Sequence, residues 1–291
     1  MAWWKQIARL VKDPPPSYVF ELSEAGLAFA HDGRAGFQPF APGTLLASPV
    51  EDNILRPEAI AGAMERVAPV NGSKKRRPAA VVLPDYTARV TVLDFDSFPS
   101  APEEQLALIR FRVKKTVPFD IDSAAVSYHV QPASTGKAGE KRIEVIAVTV
   151  ALEVIARYEA LFRNAGFHPG VITTSALAAL NMYQGDGVAV FAKLAGRVLT
   201  VAVIAQSTVK LFRCVTLEDP EDEDEIGAVL HPTFAYVEDE LGSPVRKLVV
   251  CGFPQGGPAG MDCQIESLHG HFGLPGPFDA GLLGCLEAIE N

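Results

Sequence analysis

Apolar residues in this chain gather in short runs of four to eight more often than they recur at helical spacing, the pattern of strands buried on both faces. Residues 18–29 and 37–40 predict strands joined by a turn at His31, Asp32 and Gly33. Further strands are predicted at 79–83 and 88–95, and 124–131 pairs with 143–150 across a loop at 134–141. A strand at Val171, two or three in hairpin succession over 187–204 and 209–215, and a buried one at 247–251 complete the set. Helical periodicity stands out between them. Pro57 opens a helix over 57–67 with Ile60, Met64 and Val67 on one side. Over 103–116, Leu106, Ile109, Val113 and Val117 form one stripe while Arg110, Arg112, Lys114 and Lys115 occupy the rest, and Pro118 stops the helix. Residues 152–164 predict a helix closed by Gly166. Others are expected at 176–182, 232–241, 262–271 and 280–290.

The alternation of strands and helices is that of an α/β protein, and 291 residues are enough for two lobes, here placed at 17–185 and 186–291. Residues 1–16 stand apart as an amphipathic segment. Trp3, Trp4, Ile7, Leu10 and Val11 share a face, with charge from Lys5, Arg9 and Lys12, and Pro14, Pro15 and Pro16 end the segment. Two readings stay open: Trp3, Trp4, Lys5, Ile7 and Arg9 rest on anionic lipid, or the helix packs on the protein itself. The segment has no h-region and is not read as a secretory signal.

Composition narrows the function. A hydrophobic share of 48%, a charged share of 21% and a net charge of −9 describe an ordinary globular chain that repels nucleic-acid backbones. Four cysteines scattered singly give no zinc cage or disulfide framework, so no metal site is expected. Lys193 and Arg197 interrupt the longest apolar stretch, 188–205, which reads as strands and not as a membrane span. Residues 71–77, with Lys74, Lys75, Arg76 and Arg77, and the acidic run 218–225 read as solvated loops, with added membrane attraction as the alternative for the first and a docking surface for a basic partner for the second. His269 and His271 near Cys263 are taken as surface histidines, and no G-x-S-x-G elbow is present.

Three stretches carry a family resemblance: Val82-Leu83-Pro84-Asp85-Tyr86 through Thr91-Val92-Leu93, then the helix ending at Pro118-Phe119, then Val126-Ser127-Tyr128-His129-Val130. With Ala165-Gly166-Phe167 after an apolar strand and helix, this order resembles the PilM family of type IV pilus assembly proteins over residues 18–183. Phe278-Asp279-Ala280-Gly281-Leu282-Leu283-Gly284 resembles the family's closing helix. The resemblance implies an actin-like two-lobed fold, with an inserted subdomain at about 93–143 in the first lobe. It also implies a place at the cytoplasmic face of the inner membrane. There such proteins bind the cytoplasmic tail of a PilN-like single-span partner and couple through it to pilus assembly ATPases. A related type II secretion component continues into a transmembrane helix, which this sequence does not show.

The family expects ATP and Mg²⁺, and the residues at the corresponding positions oppose both. Glu21 and Ser23 stand where an acid and a glycine are expected, and Glu24 adds a second carboxylate. Residues 187–217 hold no Asp or Glu, Lys193 and Arg197 being the charges of the opening strands. After a buried strand, Gly252 is followed by Phe253 where a second glycine is expected. The helical lid is largely missing, which leaves a reduced second lobe. No cofactor and no catalysis are expected. The partner peptide is expected in the groove between the first lobe and its inserted subdomain, on Leu106, Ile109, Arg110, Val113, Phe119, Val126 and Tyr128. The competing reading is an ATPase or phosphotransferase with an altered site that uses Glu21 and Lys193.

Overall fold

A computed structural model describes residues 15–69, 75–132, 134–135, 141–185 and 187–290. The expected membrane contacts Trp3, Trp4, Lys5, Ile7 and Arg9 lie outside the described residues, as does Lys74. Along the chain the elements are β1 (Tyr18–Leu22), β2 (Gly26–His31), β3 (Arg34–Pro39), α1 (Pro57–Val67), β4 (Arg77–Leu83), β5 (Arg89–Phe95), α2 (Pro102–Val113), β6 (Ala124–Val130), β7 (Ser134–Thr135), β8 (Lys141–Ala151), α3 (Leu152–Asn164), β9 (Phe167–Thr174), α4 (Ser175–Ala179), β10 (Ala189–Ala195), β11 (Val198–Ala205), β12 (Thr208–Thr216), α5 (Glu223–Leu241), β13 (Lys247–Cys251), β14 (Gln264–Ser267) and α6 (Ala280–Glu290).

These elements form two units. The first runs up to Thr87, takes in Leu152–Gln184 and resumes at Leu268; the second comprises Ala88–Ala151 and Gly185–Ser267. Two expectations are thereby corrected. The helix at 280–290, expected to close the second lobe, packs on β1, β4 and α4 of the first unit. The inserted subdomain, with Ala88–Ala151 as its extent, groups with the second repeat.

Each unit contains a five-stranded sheet of the same topology, β3-β2-β1-β4-β9 in one and β12-β11-β10-β13-β14 in the other. In both, three strands meander antiparallel and two more continue in parallel. Helices α1 and α5 make the crossover from third to fourth strand. A strand buried on both faces explains the run Ala189–Leu194, which is apolar but for Lys193.

In the first unit α3 buries Val154, Tyr158, Leu161 and Phe162, spaced for one helical face, and Phe162 and Phe167 meet Phe20 at ring distances of 5.4 and 4.9 Å. The opposite sheet face packs Val19, Ala80 and Val82 against Ala178, Leu282 and Cys285. Arg77, expected in a solvated loop, instead opens β4. It donates to the carbonyls of Ala68, Pro69 and Ala165 and lies 3.9 Å from the centre of the Phe167 ring. The expected strand at 18–29 is broken by a tight turn, closed by Ser23 N–H to Gly26 O at 2.9 Å.

In the second unit α5 covers Val190, Ala192, Val201, Leu248 and Val250 through Ile226, Leu230 and Val237. It begins at Glu223, inside the expected acidic loop, because the Asp222 carboxylate accepts from the N–H groups of Asp224 and Glu225 and the acids of the first turn suit a helix N-terminus. Residues 262–271, expected as a helix, hold β14 instead. Parallel pairing with β13 and a 2.9 Å ion pair between Lys247 and Glu266 override the local periodicity. Residues 252–263 join β13 to β14 without a helix, turning through Gly256, Gly257 and Gly260 at positive φ. The counterpart of α3 is therefore absent, and this repeat is the smaller one.

The third sheet, β5-β8-β6 with β7 beside β8, packs on α2. It is fastened to β12 by the Gln131 amide, which donates to Val209 O at 2.8 Å and accepts from Val209 N–H at 2.7 Å, and by the largely buried Lys210–Glu144 ion pair at 2.5 Å. That junction explains why the insertion groups with the second repeat.

Candidate functional site

Repetition of one topology defines equivalent positions without reference to any other protein. In β1, Tyr18 to Glu21 pair in parallel with Ala79 to Val82; in β10, Val190 to Lys193 pair with Leu248 to Cys251. Glu21 and Lys193 therefore occupy the same place in their repeats, each only 2% exposed. The duplication thus carries a buried acid in one copy and a buried base in the other.

The Glu21 carboxylate is held by the protein's own donors. One oxygen accepts from the Ser175 hydroxyl at the start of α4, and the other accepts from Leu282 N–H in the first turn of α6 at 2.7 Å. A carboxylate at that point meets the unsatisfied amides and positive end of a helix, the environment that elsewhere receives phosphate. Small residues permit the approach. A Cβ on Gly281 would come within 2.5 Å of Val82, and one on Gly284 within 2.0 Å of the Ala178 carbonyl oxygen. The glycines of the closing-helix motif are therefore packing residues. Inside α6, burial and then the Glu21 charge push the Cys285 thiol above its usual range. Burial also raises the Asp279 carboxyl just before the helix.

The hairpin turns that follow each first strand are closed by their own groups. Ser23 Oγ donates to Gly26 O and accepts from Gly26 N–H, both at 3.1 Å. Gly26 itself is required by β3, since a Cβ there would lie 2.4 Å from Gln38 O. The exposed Glu24 accepts from Ala47 N–H at 2.9 Å. In the second repeat Gly196 supplies the positive φ of the turn, and Arg197 Nε donates to Leu217 O at 2.8 Å. Gly252, at φ 78, ends β13, and Phe253 packs against the core beneath α5. Among the described residues no group of three or more His, Cys, Asp or Glu is placed to hold a metal ion. This donor set does not fit Mg²⁺-nucleotide: the one acid on an opening strand already accepts two protein hydrogen bonds, and its counterpart is a lysine, which offers a metal no carboxylate.

Of the residues expected to hold a partner peptide, Ile109 and Val113 are 0% exposed and form the subdomain's own core with Leu93, Phe95, Val145 and Ala147. They are corrected to packing residues. Arg110 clamps the following segment, donating to the carbonyls of Ile121 at 2.5 Å and Ala124 at 3.1 Å. Phe119, Val126 and Tyr128 are half-buried at the edge of the same core, and Tyr128 donates to Gln105 Oε1 at 2.7 Å. Leu106 is half-buried on α2.

Sequence reasoning missed two buried polar centres of the first unit. Asp85 accepts from Ala176 N–H at 2.6 Å. Asn53 accepts from Thr87 Oγ at 2.9 Å and from the Tyr158 hydroxyl at 3.1 Å, and it donates to Ser48 O at 2.7 Å and Glu51 O at 2.9 Å. No local pattern shows the distant partners Ala176, Thr87 and Tyr158, although Ser48 and Glu51 lie close to Asn53 in the chain.

No protein-family model matches the sequence, and no curated protein matches it. Solved structures do. A chain of the PilM–PilN type IV pilus biogenesis complex superposes with a TM-score of 0.74 at 14% identity, over 96% of this chain and 100% of that one. The cytoplasmic domain of EpsL, an inner membrane component of the type II secretion system of Vibrio cholerae, superposes with a TM-score of 0.55 at 15% identity, over 94% of each chain. Among the described residues no helix is long and apolar enough to cross a membrane. The repeated sheet and these superpositions establish an actin-like α/β fold, the one shared with the PilM–PilN complex chain and the EpsL cytoplasmic domain.

Proposed function

We propose that this chain is a non-catalytic, PilM-like scaffold at the cytoplasmic face of a bacterial inner membrane. It serves a type IV pilus or related secretion platform, binds the cytoplasmic N-terminal tail of a PilN-like single-span protein, and couples through it to assembly ATPases. The superposition on a chain of the PilM–PilN complex over its whole length carries this reading. The absence of catalysis is supported by the two protein donors held by Glu21 and by the lack of Asp and Glu from 187 to 217. Within α2 and β6, the half-buried Leu106, Val126 and Tyr128 are the side chains offered to a peptide, while Ile109 and Val113 support them from the core.

The test is capture of a synthetic peptide that carries the N-terminal cytoplasmic tail of a PilN-like single-span protein from the same organism. Leu106→Ala with Val126→Ala is expected to weaken capture about tenfold or more. Unchanged capture by that double variant would remove the assignment to α2 and β6, and no capture by the unaltered chain would remove the adaptor reading.

The ATPase reading makes a separate prediction. A nucleotide present at about a hundred times its dissociation constant adds roughly 2.7 kcal/mol to stability. Thermal melting with ATP and Mg²⁺ is expected to show no upward shift, and a magnesium-dependent rise would restore the enzyme hypothesis.

A further inference from the structure

The most exposed large apolar side chain among the described residues is Phe111, with 75% of its surface open to solvent. Helix geometry places it there. Phe111 lies two residues from both Ile109 and Val113, about 200° around α2 from each, so a helix that buries those two must turn Phe111 outward. Its neighbours one turn away are the exposed Ala107, Lys114 and Lys115 and the half-buried Leu108, with Arg112 beside it. Lys114 keeps helical dihedrals, which holds it on the Phe111 side.

The charge around this aromatic runs against the rest of a chain whose net charge is −9. Arg110 is turned inward to the carbonyls of Ile121 and Ala124. Arg112 shares Asp94, at 4.0 Å, with Arg142, at 3.4 Å, so two guanidinium groups face a single carboxylate. Lys114 and Lys115 are exposed and appear in no ion pair among the described residues. The carboxylates of α2, Glu103 and Glu104, lie in its first turn, at the opposite end.

We propose that the C-terminal half of α2 is a membrane-contact surface for anionic lipid, with Phe111 entering the headgroup layer and Arg112, Lys114 and Lys115 meeting lipid phosphates. A lipid surface fits better than a folded acidic partner because Phe111 stands proud on a convex helix face, with cations toward the helix end and the small Ala107 and half-buried Leu108 behind it, not in an apolar pocket. A protein hot spot fills a desolvated pocket, whereas a soft interface accepts a protruding ring and charges the surrounding cations attract. The proposal does not depend on the peptide-scaffold reading, since pure lipid is enough to test it.

The experiment is co-sedimentation of the full chain with phosphatidylglycerol-rich vesicles and with phosphatidylcholine vesicles, using Phe111→Ala, Lys114→Glu with Lys115→Glu, and Trp3→Ala with Trp4→Ala. All altered groups in α2 are exposed, and retained thermal melting will show that these variants fold. Binding to the anionic vesicles alone is expected, weakening as salt rises. The double charge reversal should weaken it roughly thirtyfold or more and loss of the ring about tenfold or more. The Trp3/Trp4 variant should still respond to Phe111→Ala. Absence of vesicle binding by the unaltered chain would overturn the proposal. So would binding that Phe111→Ala and the double charge reversal leave unchanged, or loss of peptide capture in Phe111→Ala without any lipid binding, which would assign the face to a protein.

Discussion

Glu21→Ala is expected to lower the free energy of unfolding by about 3–5 kcal/mol in urea denaturation, since it strands two buried donors and empties the site of a carboxylate. The donors are the Ser175 hydroxyl and Leu282 N–H, which tie β1 to α4 and α6. Glu21→Gln keeps an acceptor oxygen but gives up the charge near the helix terminus, and should cost about 1–2 kcal/mol. The pair of variants distinguishes the two readings of this residue. A packing role gives graded stability losses with peptide capture retained by the folded Gln variant. A metal-ligand role gives little loss of stability without nucleotide, and removes a nucleotide effect instead.

Asn53→Ala is expected to destabilise the first unit by about 3–5 kcal/mol, because one side chain closes a network in which Ser48, Thr87 and Tyr158 are buried away from water. Its loss leaves the hydroxyls of Thr87 and of the 1%-exposed Tyr158, and the carbonyls of Ser48 and Glu51, without this partner. Asn53→Asp keeps the acceptor and loses both donated hydrogen bonds, and it should fall between the two. Hydrogen exchange should show the damage at 44–56 and in α3. Equal exchange in Asn53→Ala and the unaltered chain would mean that the network does not hold those segments together.

Elements fixed by their own residues were legible in the sequence. The bounds of α1, α3, α6 and β13 follow from Pro57, from apolar spacing and from the Gly166 turn, all local signals. Strand β14 was not legible, because four residues become a strand only beside β13. The Ser23–Gly26 turn was missed because a serine hydroxyl, with no Pro or Asn, closes it. At the candidate site the sequence singled out Glu21 and Lys193, and only the strand registers put them at equivalent positions; the sequence could not show what holds Glu21. The Leu282 amide lies 261 residues away along the chain. The stripe on α2 was legible as a stripe, though its deepest residues face the subdomain's own strands and Phe111, on the opposite side, gave no periodic signal.

The return of α6 to the first unit has a consequence for synthesis. The face of the first sheet formed by Val19, Ala80 and Val82 is covered by Leu282 and Cys285, and about a hundred residues separate β9 from that helix. At ribosomal rates of roughly 5–20 residues per second, the nascent first unit waits on the order of ten seconds with this apolar sheet face covered only by α4, while the rest of the second unit is made in between. The acid in β1 likewise lacks its α6 amide until the helix emerges. A chaperone that shields apolar strands should therefore engage this protein before residue 280 is made and release it soon after.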